Sequence, residues 1–201
     1  MGRSEHSNSA SFEEQLDRLD AAYVHIGVFD FNGVFRHKKI EASKAIKLAK
    51  NGYSFCEVLY QWNIADNVYG GGAYLDQPAQ LDPSSVRAWP FGENEAICIA
   101  DFVKPLGDLS PRNQLIKQLD RAELMGFTVH SAFEFEFTLL QETPETLRNK
   151  GYNNLDAFAA GNTTYSLKSA VENQDMFRNY SDVMERMGIK FDSIHSEMGE
   201  G

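Results

Sequence analysis

The sequence predicts a mixed α+β fold in two parts that meet near Gly107. Aromatic and β-branched segments with hairpin signals precede that point, a strand, helix, strand order follows it, and capped amphipathic helices occur on both sides. The chain has 201 residues, 42% apolar and 24% charged, which suits a globular protein with a real core and not a fibrous or disordered one. A net charge of −10 argues against nucleic acid or an anionic membrane as partner, because either needs a basic surface. Cys56 and Cys98 stand far apart with no CxxC spacing, so they read as reduced structural thiols and point to the cytoplasm. Met1 to Ala10 lacks an apolar segment, predicting no signal peptide, and His6 falls where a myristoylation signal wants Ser or Thr. No apolar run reaches membrane-spanning length. The sequons at Asn162 and Asn179 read as chance matches.

In order, residues 1–22 read as a disordered lead followed by a short helix. Ser11 and Glu14 form a capping box, and Phe12, Leu16 and Leu19 share a helical face. Residues 23–107 form the first domain. Tyr23 to Phe29 is rich in β-branched and aromatic residues, Asn32-Gly33 signals a tight hairpin, and Val34 to Ile40 is the returning strand. Glu41 to Lys50 has a helical pattern closed by Asn51-Gly52. Tyr53 to Asp66 reads as an aromatic loop, and Gly70-Gly71-Gly72 as a mobile one, since no Lys-Ser/Thr follows to make a phosphate loop. Ala96 to Val103 is a second strong strand, broken by Lys104-Pro105-Leu106-Gly107.

Residues 108–201 form the second domain. Ser110 caps and Pro111 opens a helix that runs to Met125 and stops at Gly126. Phe127 to His130 reads as a strand. Gln141 to Lys168 is polar and reads as a surface insertion, Ser169 to Met187 as a helix ended by Gly188, and Ile189 to Ile194 as a strand.

Phe133-Glu134-Phe135-Glu136-Phe137-Thr138-Leu139-Leu140 alternates apolar with polar residues over a full strand length. Glu134 and Glu136 would project the same way, roughly 6.6 Å apart. That spacing suits anchors around a pair of divalent cations, and it equally suits a half-buried strand whose polar face meets water. His195-Ser196-Glu197 at the end of the last predicted strand adds a third carboxylate, followed by glycines that let backbone approach a ligand.

Three motifs together resemble the glutamine synthetase family: Asp30, Gly33, Arg36 and Lys38 as D-x-x-G-x-x-R-x-K, Glu134 and Glu136 as E-x-E, and His195 to Gly201 as H-x-E-x-G-x-G. They stand in family order and at family-like spacing from about Tyr23 onwards. The resemblance implies a small β-grasp-like N-terminal domain followed by the truncated start of a catalytic α/β domain. It implies an ATP-dependent ligase that activates the γ-carboxyl of glutamate as an acyl phosphate for attack by ammonia or another small amine. In that scheme Glu134 ligates one Mg²⁺ or Mn²⁺ ion, and Glu136 and Glu197 share a second. Homo-oligomerisation of the full-length protein is implied as well. Family members continue well past the H-x-E segment, so this chain alone is expected to be inactive.

The chain departs from the family at two places. Ammonia-using members carry an acidic D-G-S-S element ahead of the loop tryptophan. Here Ser54 to Gln61 precede Trp62, which favours a larger amine. Ser196 stands where many members have a second His. A non-catalytic relative kept for structure or assembly is the alternative, and a plain α+β domain with a solvated acidic face is the third reading.

Overall fold

The computed structural model describes residues 11–63, 65, 67–70, 73–159 and 164–199. Residues 1–10, Gly71 and Gly72, Asn162 and Thr163 of the first sequon, and the last two residues of the terminal motif lie outside them. The chain is mixed α+β. It divides into two compact units: one runs as far as Val129 and includes Arg186–Gly188, and the other takes His130–Glu185 and the residues from Ile189.

The first unit is built on a six-stranded curled sheet. Its helices are α1 (Phe12–Arg18), α2 (Ala42–Asn51) and α3 (Pro111–Leu124). The strands are β1 (Tyr23–Phe29), β2 (Phe35–Glu41), β3 (Tyr53–Cys56), β4 (Asp76–Leu81), the short β5 (Arg87–Ala88) and β6 (Glu95–Phe102). Their order is β2-β1-β6-β4-β3, with β5 also on β6. The β1/β6 pair is parallel and every other pair antiparallel. Buried alternate residues Val24, Ile26 and Val28 of β1 and Ala96, Cys98, Ala100 and Phe102 of β6 form the core with Phe12, Leu16, Ala45 and Phe55. Fully burying a side chain of this size stabilises a fold by about 1.5–3 kcal/mol, so this row holds the sheet together.

Local signals explain the element ends. Ser11 and Glu14 make the reciprocal capping box, and Ser110 accepts from the Asn113 N–H with Pro111 opening α3. The Asp30 carboxylate, fully enclosed, accepts from the N–H groups of Asn32 and Val34 at 2.9 Å and from Arg36 Nε at 2.8 Å. The Asn32-Gly33 turn thus forms, but only Gly33 takes a left-handed φ of 77°, and Asp30 N–H donates to the Val34 carbonyl. This is a three-residue connection and not the two-residue turn that the dipeptide suggests.

Several elements differ from expectation. The aromatic loop after Gly52 opens with β3 and a 3₁₀ turn at Glu57–Tyr60, because Phe55, Leu59 and Tyr60 are drawn into the core. The β4 strand, with Pro78 inside it and only Ala79 and Leu81 facing the core, has almost no intrinsic strand signature; its neighbours β3 and β6 hold it in place.

In the second unit the helices are α4 (Pro144–Asn149), α5 (Leu167–Glu172) and α6 (Gln174–Arg186). The single helix expected at 169–187 is split at Asn173, whose side-chain amide donates to the Ser169 carbonyl and competes with the backbone ladder. The strands expected at Phe127 to His130, at Phe133 to Leu140 and at Ile189 to Ile194 are not formed among the described residues. A strand needs a lateral partner for its backbone groups, and the one bridge here joins Leu140 to Ala157.

Candidate functional site

Glu134 and Glu136 lie on the ladder-free stretch of the second unit, both exposed, between Phe133, Phe135 and Phe137, which are also exposed. Glu197 lies near the far end of the same unit. Its carboxylate accepts from the Met198 N–H at 3.2 Å and lies 3.2 Å from His195 Nε2. The Tyr165 phenol also donates to it, and these three hydrogen bonds, Tyr165 first, hold Glu197 below the usual carboxylate range.

Tyr165 is the residue that motif reading missed. Its N–H donates to the Ser196 carbonyl at 2.9 Å, and its ring lies 4.9 Å from that of His195. The hydrogen bond to Glu197 and that carboxylate's charge push the phenol above its ordinary value, with smaller contributions from burial and from the charge of Glu134. Glu197, 32 positions away in sequence, is thus the main partner of this phenol. The only signal in the sequence was an aromatic residue within a polar insertion, too weak to single it out.

The remaining motif residues organise the first unit. Arg36, held by Asp30, lies 5.0 Å from the Trp62 ring centroid. Lys38 sits 5.1 Å from the rings of both Tyr53 and Phe55 and donates to the Ser54 carbonyl at 3.3 Å. The D-x-x-G-x-x-R-x-K segment thus fastens the aromatic loop to the hairpin. Glu57, within that loop, accepts from Gln77 at 2.9 Å, and Asp66 lies outside the described residues.

Carboxylate oxygens are the right donors for Mg²⁺ or Mn²⁺. Among the described residues, however, no group of three His, Cys, Asp or Glu side chains converges to hold a metal ion, so these residues as placed do not make a complete divalent-cation site. Among the described residues no helix is long and apolar enough to cross a membrane.

Residues 108–201 match the family described as glutamine synthetase, catalytic domain. Among curated relatives, the chain is 26% identical over 197 residues to type-1 glutamine synthetase 2 of Dictyostelium discoideum, covering 93% of this chain and 38% of that protein. It is 27% identical to glutamate–isopropylamine ligase of a Pseudomonas species, covering 92% and 43% respectively. It is 25% identical to γ-glutamylethanolamide synthetase GlnA4 of Streptomyces coelicolor, covering 94% and 44%. The chain therefore spans about two fifths of the length of these relatives. In fold it is similar to a GmaS/ADP complex at a TM-score of 0.64 and 18% identity, over 90% of this chain and 40% of that one. Residues 108–201 thus match the glutamine synthetase catalytic domain, and most of the chain is similar to glutamine synthetases and γ-glutamyl-amine ligases.

Proposed function

We propose that this chain is the N-terminal portion of an ATP-dependent ligase of the glutamine synthetase type, which joins glutamate to an amine larger than ammonia through an acyl phosphate. The observation that carries the reading is the match of residues 108–201, within which Glu134, Glu136 and Glu197 all lie, to the glutamine synthetase catalytic domain. The amine preference is supported by Ser54 to Gln61, which lack the acidic element of ammonia-using members, and by relatives named for isopropylamine and ethanolamide.

In this reading the first domain spans residues 23–107 as a β-grasp-like module, and residues 108–201 open the catalytic domain. Glu134, Glu136 and Glu197 supply part of a set for Mg²⁺ or Mn²⁺, whose charge offsets phosphoryl charge in such transfers. Tyr165 donates to Glu197 and holds that carboxylate in place, while Glu134 and Glu136 stay open to an incoming cation. The parent protein is a cytoplasmic homo-oligomer using ATP and glutamate, and the 201-residue chain on its own releases no phosphate.

The deciding assay supplies the full-length protein with ATP, glutamate and a panel of amines. Turnover with a primary alkylamine at least tenfold above that with ammonium is expected, and an ammonium preference overturns the amine assignment. The 201-residue chain should show no ATP- and glutamate-dependent phosphate release. A non-catalytic relative is the second reading, favoured by the lack of a three-donor group among the described residues. Calorimetric Mn²⁺ titration of the full-length protein and of its Glu136→Ala variant separates the two, since the ligase reading expects at least a tenfold loss of affinity.

A further inference from the structure

The second face of the β1/β2/β6 sheet carries a cluster that the ligase reading does not use. His25 of β1 is buried, and His37 of β2 is exposed beside it. Their Nδ1 atoms face each other at 3.2 Å, with ring centroids 5.0 Å apart. The other nitrogen of His25, Nε2, lies 2.7 Å from Glu95 Oε2, and Glu95 Oε1 accepts from Lys39 at 2.6 Å. Paired with Lys39, the Glu95 carboxylate is an acceptor at both oxygens. Nε2 of His25 therefore carries the hydrogen, and its Nδ1 presents a lone pair towards His37.

Both rings are fixed in place. His25 stacks on Trp89 with centroids 4.3 Å apart, and His37 lies nearly parallel to Phe35, 8° between planes. Gly27 makes room for this arrangement, because a Cβ there would come within 2.6 Å of the Phe35 ring and 2.9 Å of His37 Cβ.

We propose that His25 Nδ1 and His37 Nδ1 form a two-histidine site for a late first-row transition metal, with Zn²⁺ as the representative ion. Imidazole nitrogen suits such ions. A Zn–N distance of about 2.0–2.1 Å at a tetrahedral angle places two nitrogens about 3.3–3.4 Å apart, close to the separation already present. The Glu95–His25 pair reproduces the carboxylate–histidine–metal arrangement that fixes tautomer and raises ligand basicity. The charge of Lys39 is paired with the same carboxylate. In the free protein the His37 Nδ1–H donates to His25 Nδ1. On binding, that proton moves to His37 Nε2 through solvent, the ion takes the place between the rings, and no net proton is released when both rings start neutral. Water completes the coordination. The site is independent of the glutamate carboxylates and of the ligase reading.

The test is Zn²⁺ binding to the 201-residue chain at pH 7.5, by competition with a chromophoric indicator, with long-range ¹H–¹⁵N spectra of the imidazoles. Binding with a Kd in the micromolar range is expected, with the His25 and His37 Nδ1 resonances shifted together. His37→Ala, at an exposed position, should weaken binding at least tenfold. Glu95→Gln should weaken it about tenfold or more. Unshifted His25 and His37 nitrogens at saturating Zn²⁺ overturn the proposal, as does a His37→Ala affinity that falls less than tenfold. The wild-type spectra decide alone if the variant does not fold.

Discussion

Two stretches of this chain share one pattern and end in different states. Glu95–Phe102 and Phe133 to Leu140 both alternate side chains of contrasting polarity or size over eight residues. The first is β6, with its even-numbered residues Ala96, Cys98, Ala100 and Phe102 buried between β1 and β4. The second has no ladder among the described residues, and Phe135 keeps 82% of its surface. Alternation sorts side chains onto two faces. Only a neighbour on each edge, and a layer over the apolar face, turns that sorting into stability.

The comparison is open to direct attack. Replacing Phe102 by Ala in the first unit should lower stability by about 3–5 kcal/mol, whereas Phe135→Ala should stay within about 0.5 kcal/mol. Urea unfolding followed by circular dichroism measures both, and a loss above about 2 kcal/mol for Phe135→Ala would break the contrast. Asp30→Ala comes next. It strips the acceptor from two backbone N–H groups and from Arg36, and should cost the first unit about 1–3 kcal/mol, read in the same titration.

Amide exchange sharpens the comparison without mutation. The β1 and β6 amides should exchange through global unfolding, about a thousandfold or more slower than those of 133–139. Similar rates in the two stretches would sink the distinction.

The smallest effect concerns pH in the second unit, where Lys150 donates to Glu142 at 2.6 Å and to Asp156 at 2.8 Å. Hydrogen bonds from Lys150, from Thr146 and from the Asp156 N–H pull the Glu142 carboxyl down to about 2, against an ordinary 4.5. The folded value is the lower one. Its stabilisation is therefore complete above about pH 4.5 and fades as the pH falls to about 2. Melting of wild type and Glu142→Gln across that window should converge on acidification, and a constant difference would rule out this carboxyl as the source.

What was legible depended on the range of the interaction. The Ser11 and Ser110 caps and the Gly52 stop follow from contacts within a few residues, and β1, β2 and β6 carry strand or hairpin signals in their own residues; all stand within a residue or two of where sequence put them. The β4 strand was illegible because Asp76-Gln77-Pro78-Ala79-Gln80-Leu81 has little preference of its own and takes strand form only between β3 and β6. Tyr165 was illegible because a phenol on a polar insertion acquires meaning only when Ser196 and Glu197 come beside it.

The sequence by itself determined the mixed α+β class, and three motifs in order gave the resemblance to the glutamine synthetase family, with Glu134, Glu136 and Glu197 as the carboxylates it implies. Those are matters of residue type and spacing, which need no partner. Tertiary structure alone decided that the alternating stretch would form no ladder beyond the bridge at Leu140, that Glu197 would turn onto Tyr165 and His195, and that His25 would meet His37 over Glu95. Each of these depends on which distant segment lies alongside, and a local pattern can permit a contact without supplying the group that completes it.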